Sequence, residues 1–196
     1  GVPAEQSISM FDFFQHTIGY ERKPFHTDDL TIDNAYELDR QSKYTKVYDN
    51  DRLVMEIDYI PGTFEEINTI TYFDRFGNSV ETDYYDWRGF KSMQQYYDVN
   101  GITVKEQMLT PTGEVVYESY YAKDSSGKQR NSLLKLVNYH GEDYYFNNLL
   151  ELFTFFLDEL NTSYGGNNTF MSDRRVNDAD TGLLSMQTKC RKIAII

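Results

Sequence analysis

Four glycines, Gly77, Gly89, Gly101 and Gly113, stand 12 residues apart, and each closes a short unit of one kind. The units are Tyr72-Phe73-Asp74-Arg75-Phe76-Gly77, Tyr84-Tyr85-Asp86-Trp87-Arg88-Gly89 and Tyr96-Tyr97-Asp98-Val99-Asn100-Gly101. A worn copy, Met108 to Gly113, follows, and a looser one runs from Tyr120-Tyr121 through Asp124 to Gly127, after a gap of 14. A period this short is one strand plus one turn. The aspartate accepts hydrogen bonds from backbone two residues on, and the glycine supplies positive φ. Strands joined by such short turns are antiparallel neighbours, so the repeat predicts a β-meander.

Counting from each glycine groups Val80, Thr82 and Tyr84 with Ser92, Gln94 and Tyr96, then with Val104, Glu106 and Met108. The alternate positions form the second group. Neither is cleanly apolar, whereas a sandwich strand is apolar on one side. The expectation is a sheet wet on much of both sides, held by cross-strand tyrosine pairs. Such a surface suits exposed structural packing or the binding of a chain-like ligand or partner subunit.

The 196 residues carry a net charge of −12. That argues against nucleic acid, which needs a basic stripe. Seventeen tyrosines and 13 phenylalanines place the chain among folded proteins. The single cysteine, Cys190, excludes an internal disulfide and a cysteine-based zinc site, and it fits the cytoplasm. No apolar run is long enough to span a membrane, so the expected location is cytoplasmic, reaching at most the membrane periphery.

Residues 1–34 read as an N-terminal anchoring segment and loop, with a short helix over Ile8–His16 that Ser9 can cap. Residues 35–146 form the meander of about nine to eleven strands. A different period begins at Asn147. Leu149, Leu152, Phe153, Phe156, Leu157 and Leu160 recur at three and four, an amphipathic helix capped by Asn147 or Asn148. A wet meander is a poor partner for it. Thr169–Ser172 is a short strand, Asp178–Gln187 a helix and Ile193–Ile196 an unbroken apolar strand like those buried on both faces of parallel sheets. This αβαβ rhythm over 147–196 is that of a Rossmann-like domain, so the class is α+β. Such a strand calls for further α/β structure after Ile196.

These residues resemble a family. The Tyr72–Gly77 and Tyr84–Phe90 units, Glu106-Gln107-Met108-Leu109, the Leu149–Leu157 helix, Phe170–Arg174 and Lys189–Ile196 look like the β-sheet insert of certain bacterial glycosyltransferases. The similar enzymes are poly(glycerol-phosphate) α-glucosyltransferases, teichoic-acid α-GlcNAc transferases and the glycosyltransferases of accessory secretion. The resemblance implies an insert within a GT-B enzyme that retains configuration, with donor pocket and paired glutamates elsewhere. It therefore implies no catalytic residue and no cofactor in this chain. The implied partners are a polymeric or protein acceptor, teichoic acid or a serine-rich protein, and a homo- or hetero-oligomer formed through the sheet.

Read alone, the residues agree. There is no phosphate loop, no Ser/His/Asp set and no metal set. His16 and His26 read as surface or packing residues, and Glu65-Glu66 as solvated charge. The candidate acceptor-binding residues are Asp173, Arg174 and Arg175, after a predicted parallel strand, where α/β domains place ligands and arginines can hold phosphate. The alternative is a free-standing tyrosine/aspartate/glycine repeat module that binds protein or carbohydrate. A terminal helix and apolar strand would serve such a module no purpose.

Overall fold

The structure, a computed structural model, describes residues 8–172 and 177–194. A short helix α1 (Met10–Phe14) and an extended segment precede ten strands: β1 (Glu37–Arg40), β2 (Tyr44–Asp49), β3 (Arg52–Tyr59), β4 (Ile67–Phe73), β5 (Ser79–Tyr85), β6 (Lys91–Tyr97), β7 (Thr103–Leu109), β8 (Val115–Lys123), β9 (Gln129–Tyr139) and β10 (Glu142–Phe146). They form one sheet in chain order, every neighbour antiparallel. Then come α2 (Leu149–Ser163), β11 (Thr169–Ser172), α3 (Asn177–Ser185) and β12 (Arg191–Ala194), with β11 and β12 paired in parallel. The meander and the αβαβ ending are both present.

The hairpins form as their chemistry dictates. Asp74 Oδ1 accepts from Phe76 N at 2.8 Å and Asn78 N at 2.9 Å. Asp98 and Asp124 repeat the pattern two and four residues on, and in the worn copy the Thr110 hydroxyl accepts from Glu114 N. Beyond each glycine the ladder carries one extra residue on the following strand: Val80, Ser92, Val104, Val116 and Ser132. This one-residue bulge has a consequence for the whole sheet. Side chains alternate with period two, so one inserted residue exchanges the faces.

The grouping by distance from glycine is therefore corrected: residues at the same offset in successive repeats point to opposite sides. Tyr72 and Tyr96 lie on one face, Tyr84 on the other. Cross-strand tyrosine pairs are corrected for the same reason. Among the described residues, the tyrosines of β4–β8 do not stack on one another; Tyr85 stacks on Phe25 and Tyr117 meets Phe11 edge-on, while the others hydrogen-bond through their hydroxyls. Tyr84 and Tyr97 both donate to Gln95 Oε1 at 2.8 Å, and Tyr121 donates to Glu106 Oε2 at 2.7 Å.

Following the register across the sheet gives two contrasting rows. On the front face run Thr45, Ile57, Ile70, Asp83, Gln94, Gln107, Glu118 and Lys135. On the back run Lys46, Glu56, Thr71, Thr82, Gln95, Glu106, Ser119, Leu134 and Phe146. The front is apolar at the β2–β4 end and the back at the β8–β10 end. Two cores follow, on opposite faces. Val47, Ile57, Tyr59, Ile67 and Ile70 are covered in front by Phe25, Leu30, Ile32 and Tyr36. Behind, Tyr117, Leu134, Leu136 and Phe146 are covered by Phe14 of α1 and by Leu152, Phe156 and Leu157 of α2. The amphipathic helix thus packs on the meander after all. Its partner is the apolar back of β8–β10, which faces it because the bulges bring Leu134 and Leu136 to the same side as Tyr117.

The N-terminal segment joins the two cores. It starts behind the sheet as α1, capped by Ser9, whose hydroxyl accepts from Asp12 N at 3.0 Å. It rounds the sheet at the β5–β6 hairpin, where Lys23 N donates to Arg88 O at 2.8 Å, and it reaches the front at Phe25, whose carbonyl accepts from Ile67 N at 2.9 Å. Gln15 Nε2, buried, donates to the carbonyls of Ser92 and Leu109. Arg88 fixes the crossing, binding Asp86, Asp12 and the Thr17 carbonyl. Those carboxylates raise its guanidinium above the usual arginine range.

Candidate functional site

Between the two cores, the front of β5–β8 is polar, and the N-terminal segment reaches it at Tyr85, whose ring stacks on Phe25 with centroids 5.3 Å apart. Asp83 is 2% exposed at the centre of this front. Its carboxylate accepts from Gln94 Nε2 at 2.8 Å, Lys91 Nζ at 3.1 Å and the Tyr72 hydroxyl at 3.2 Å. Gln94 also donates to Glu81 Oε1 at 2.7 Å and accepts from Gln107 Nε2 at 2.7 Å. A buried carboxylate is tolerated only when its lone pairs are filled, as here. Burial, then the Asp83 charge, raises the Glu81 carboxyl above its ordinary value. Burial beside Asp83 pushes the Tyr85 hydroxyl up to about 12.

One strand further, Lys105 Nζ donates to Glu118 Oε1 at 2.7 Å and lies 5.9 Å from the Tyr96 ring centroid and 5.5 Å from that of Tyr120. Tyr72, Tyr85, Tyr96 and Tyr120 are all half-buried. The surface is a row of aromatic rims with fixed donors and acceptors between them. It can hold an extended, hydroxyl-bearing or peptide-like chain. No three His, Cys, Asp or Glu side chains among the described residues are placed to hold a metal.

Asp173, Arg174 and Arg175 lie outside the described residues. Ile195 and Ile196 do too, while Ile193 of the same apolar run is 39% exposed. Glu65 pairs with Arg40 of β1 at 2.8 Å, and Glu66 pairs with Arg22, which ties the N-terminal segment to the sheet. His26 heads the 3-10 turn Thr27–Asp29. The residues missed from sequence are Asp83, Gln94 and Gln107. In sequence they are polar residues in polar strands, and only the register lines them up. No helix among the described residues is long and apolar enough to cross a membrane.

The sheet has counterparts among known proteins. No curated protein matches the chain. Among solved structures, accessory secretory protein 1, 2 and 3 of Streptococcus pneumoniae superposes with a TM-score of 0.72 at 18% identity, over 95% of this chain and 37% of that one. A GtfA/B complex gives 0.72 at 14%, over 100% and 37%. A mutant TarM of S. aureus, in complex with Fondaparinux, α-GlcNAc-glycerol and UDP, gives 0.65 at 11%, over 95% and 36%. The chain thus spans well under half the length of these similar structures, and at such identities they establish the fold. The family model for the GtfB middle domain matches residues 36–136, from the residue before β1 into β9. The chain belongs to the GtfB middle domain family.

Proposed function

We propose that this chain is the non-catalytic, sheet-bearing part of a retaining, nucleotide-sugar-dependent glycosyltransferase acting on cell-wall teichoic acid or on surface protein. Its sheet engages the acceptor or a partner subunit. The division is 1–34 as anchoring segment, 35–146 as sheet domain and 147–196 as the adjoining part of a Rossmann-like domain, in a cytoplasmic protein. The observation that carries the reading is that the family match falls on the sheet, whose centre is a tyrosine-rimmed polar surface. The GtfA/B complex among the similar structures supports assembly with other proteins.

Of the two acceptor classes, a serine-rich peptide fits this sheet better than a polyphosphate, because a net charge of −12 repels a polyanion. Asp173, Arg174 and Arg175 remain proposed contacts, supplying cationic charge after β11. The test mixes the chain with a nucleotide sugar and either a serine-rich peptide or poly(glycerol phosphate), reading sugar transfer and binding separately. Peptide binding without transfer is expected. Transfer by the chain alone overturns the non-catalytic role. If the sheet assembles subunits, light scattering gives a multiple of 23.1 kDa. A strict monomer that binds neither acceptor contradicts both uses.

A further inference from the structure

A second site lies away from the sheet's front, in a cleft of about 500 Å³ where α1, the β9–β10 hairpin and α2 meet. That volume is within the range of small-ligand sites. Two backbone choices point at it. Helix α1 ends in a Schellman motif: Thr17 N donates to Asp12 O at 2.9 Å, and His16 takes the left-handed position with φ 58°. Glycine or asparagine is the usual residue there. The β9–β10 hairpin is a two-residue turn with φ 52° at His140 and 88° at Gly141. Asparagine, aspartate or glycine is usual at its first position. In both places the chain carries a histidine where a smaller residue fits the backbone better, and both histidines line the same cleft.

The rest of the lining is chemically consistent. The His140 ring stacks on Tyr139, centroids 4.2 Å apart, leaving its other side exposed. Phe13 and the half-exposed Ile18 add apolar surface. The Tyr139 hydroxyl donates to Glu159 Oε2 at 2.9 Å; burial, then that carboxylate, raises it above the usual tyrosine range. Glu159 Oε1 accepts no bond among the described residues, and neither imidazole has a hydrogen-bond partner among them. The Thr162 and Ser163 hydroxyls donate to the carbonyls of Asp158 and Leu160, so their lone pairs are left to accept. An apolar floor with a stacked ring pair takes the C–H face of a pyranose. A rim of a free carboxylate oxygen, hydroxyl acceptors and imidazoles takes its hydroxyls. The Glu159 charge disfavours a phosphate.

We propose that this cleft is a saccharide-binding site for one neutral hexose or N-acetylhexosamine residue, independent of the acceptor surface on the sheet. The test is saturation-transfer NMR on the full chain with glucose and with N-acetylglucosamine as probes. Transfer from Tyr139 and His140 ring protons to the sugar ring is expected. The paired variant His16→Asn with His140→Asn suits both left-handed positions, so it keeps or raises the melting temperature while weakening sugar binding roughly fivefold or more. Tyr96→Ala with Tyr120→Ala leaves this binding unchanged, which separates the site from the sheet. No transfer to either sugar, or equal transfer in the histidine variant, overturns the proposal. Binding of tetramethylammonium in place of both sugars overturns the ligand class.

Discussion

At the scale of single residues, the turns decide the fold, and they differ in what surrounds them. Gly77 and Gly89 both sit at positive φ, 84° and 92°. A Cβ on Gly77 meets open space, whereas one on Gly89 stands 1.8 Å from the Lys23 carbonyl oxygen. Gly77→Ala therefore costs about 1–2 kcal/mol, the left-handed strain alone. Gly89→Ala costs several kcal/mol more, because backbone must move and the N-terminal segment lifts away. Urea denaturation of both variants checks the order. The turn aspartates make stability depend on acid. Hydrogen bonds from Ser126 and Arg130 hold Asp124 down at about 2, and backbone donors lower Asp74 and Asp98. Folded values below unfolded ones mean a contribution present above about pH 4 and lost as pH falls through 2. Replacing all three by Asn keeps the turn acceptors, so the acid slope of the melting temperature should flatten. An unchanged slope would count against these turns as its source.

At the scale of elements, the strands, turns, both long helices and the parallel pair were legible in the sequence, because each rests on local chemistry: glycine spacing, Asp side chains, apolar periodicity. The faces were not. They depend on the extra residues Val80, Ser92, Val104, Val116 and Ser132, which look ordinary in sequence yet exchange the sides of the sheet. The polar row of Asp83, Gln94 and Gln107 was hidden for that reason, and so was the partner of α2. Two cores joined by one segment should respond separately to mutation. Phe14→Ala costs about 3–5 kcal/mol and Ile57→Ala about 2–5 kcal/mol. Hydrogen exchange should show the first loosening β8–β10 and α2, and the second loosening β2–β4. Loosening of the whole sheet by either would mean one core rather than two.

At the scale of the molecule, the polar middle is a product of the two cores. Each covers one face at one end, and β5–β7 between them keep hydrogen-bonded polar side chains on both sides. A sheet built only for stability has no reason to bury Asp83 and brace it with Lys91, Gln94 and Tyr72. The brace holds the tyrosine rims of the front at fixed positions, as a recognition surface requires. The site's chemistry was only partly readable beforehand, since the sequence shows abundant tyrosine but not which rings share a face. The most direct measurement is calorimetric titration of a serine-rich peptide into the chain and into the Tyr96→Ala, Tyr120→Ala variant. Binding to the first is expected, with a loss of roughly tenfold or more in the second and both proteins folded. Equal affinity in the two would contradict the sheet's front as the engaging surface.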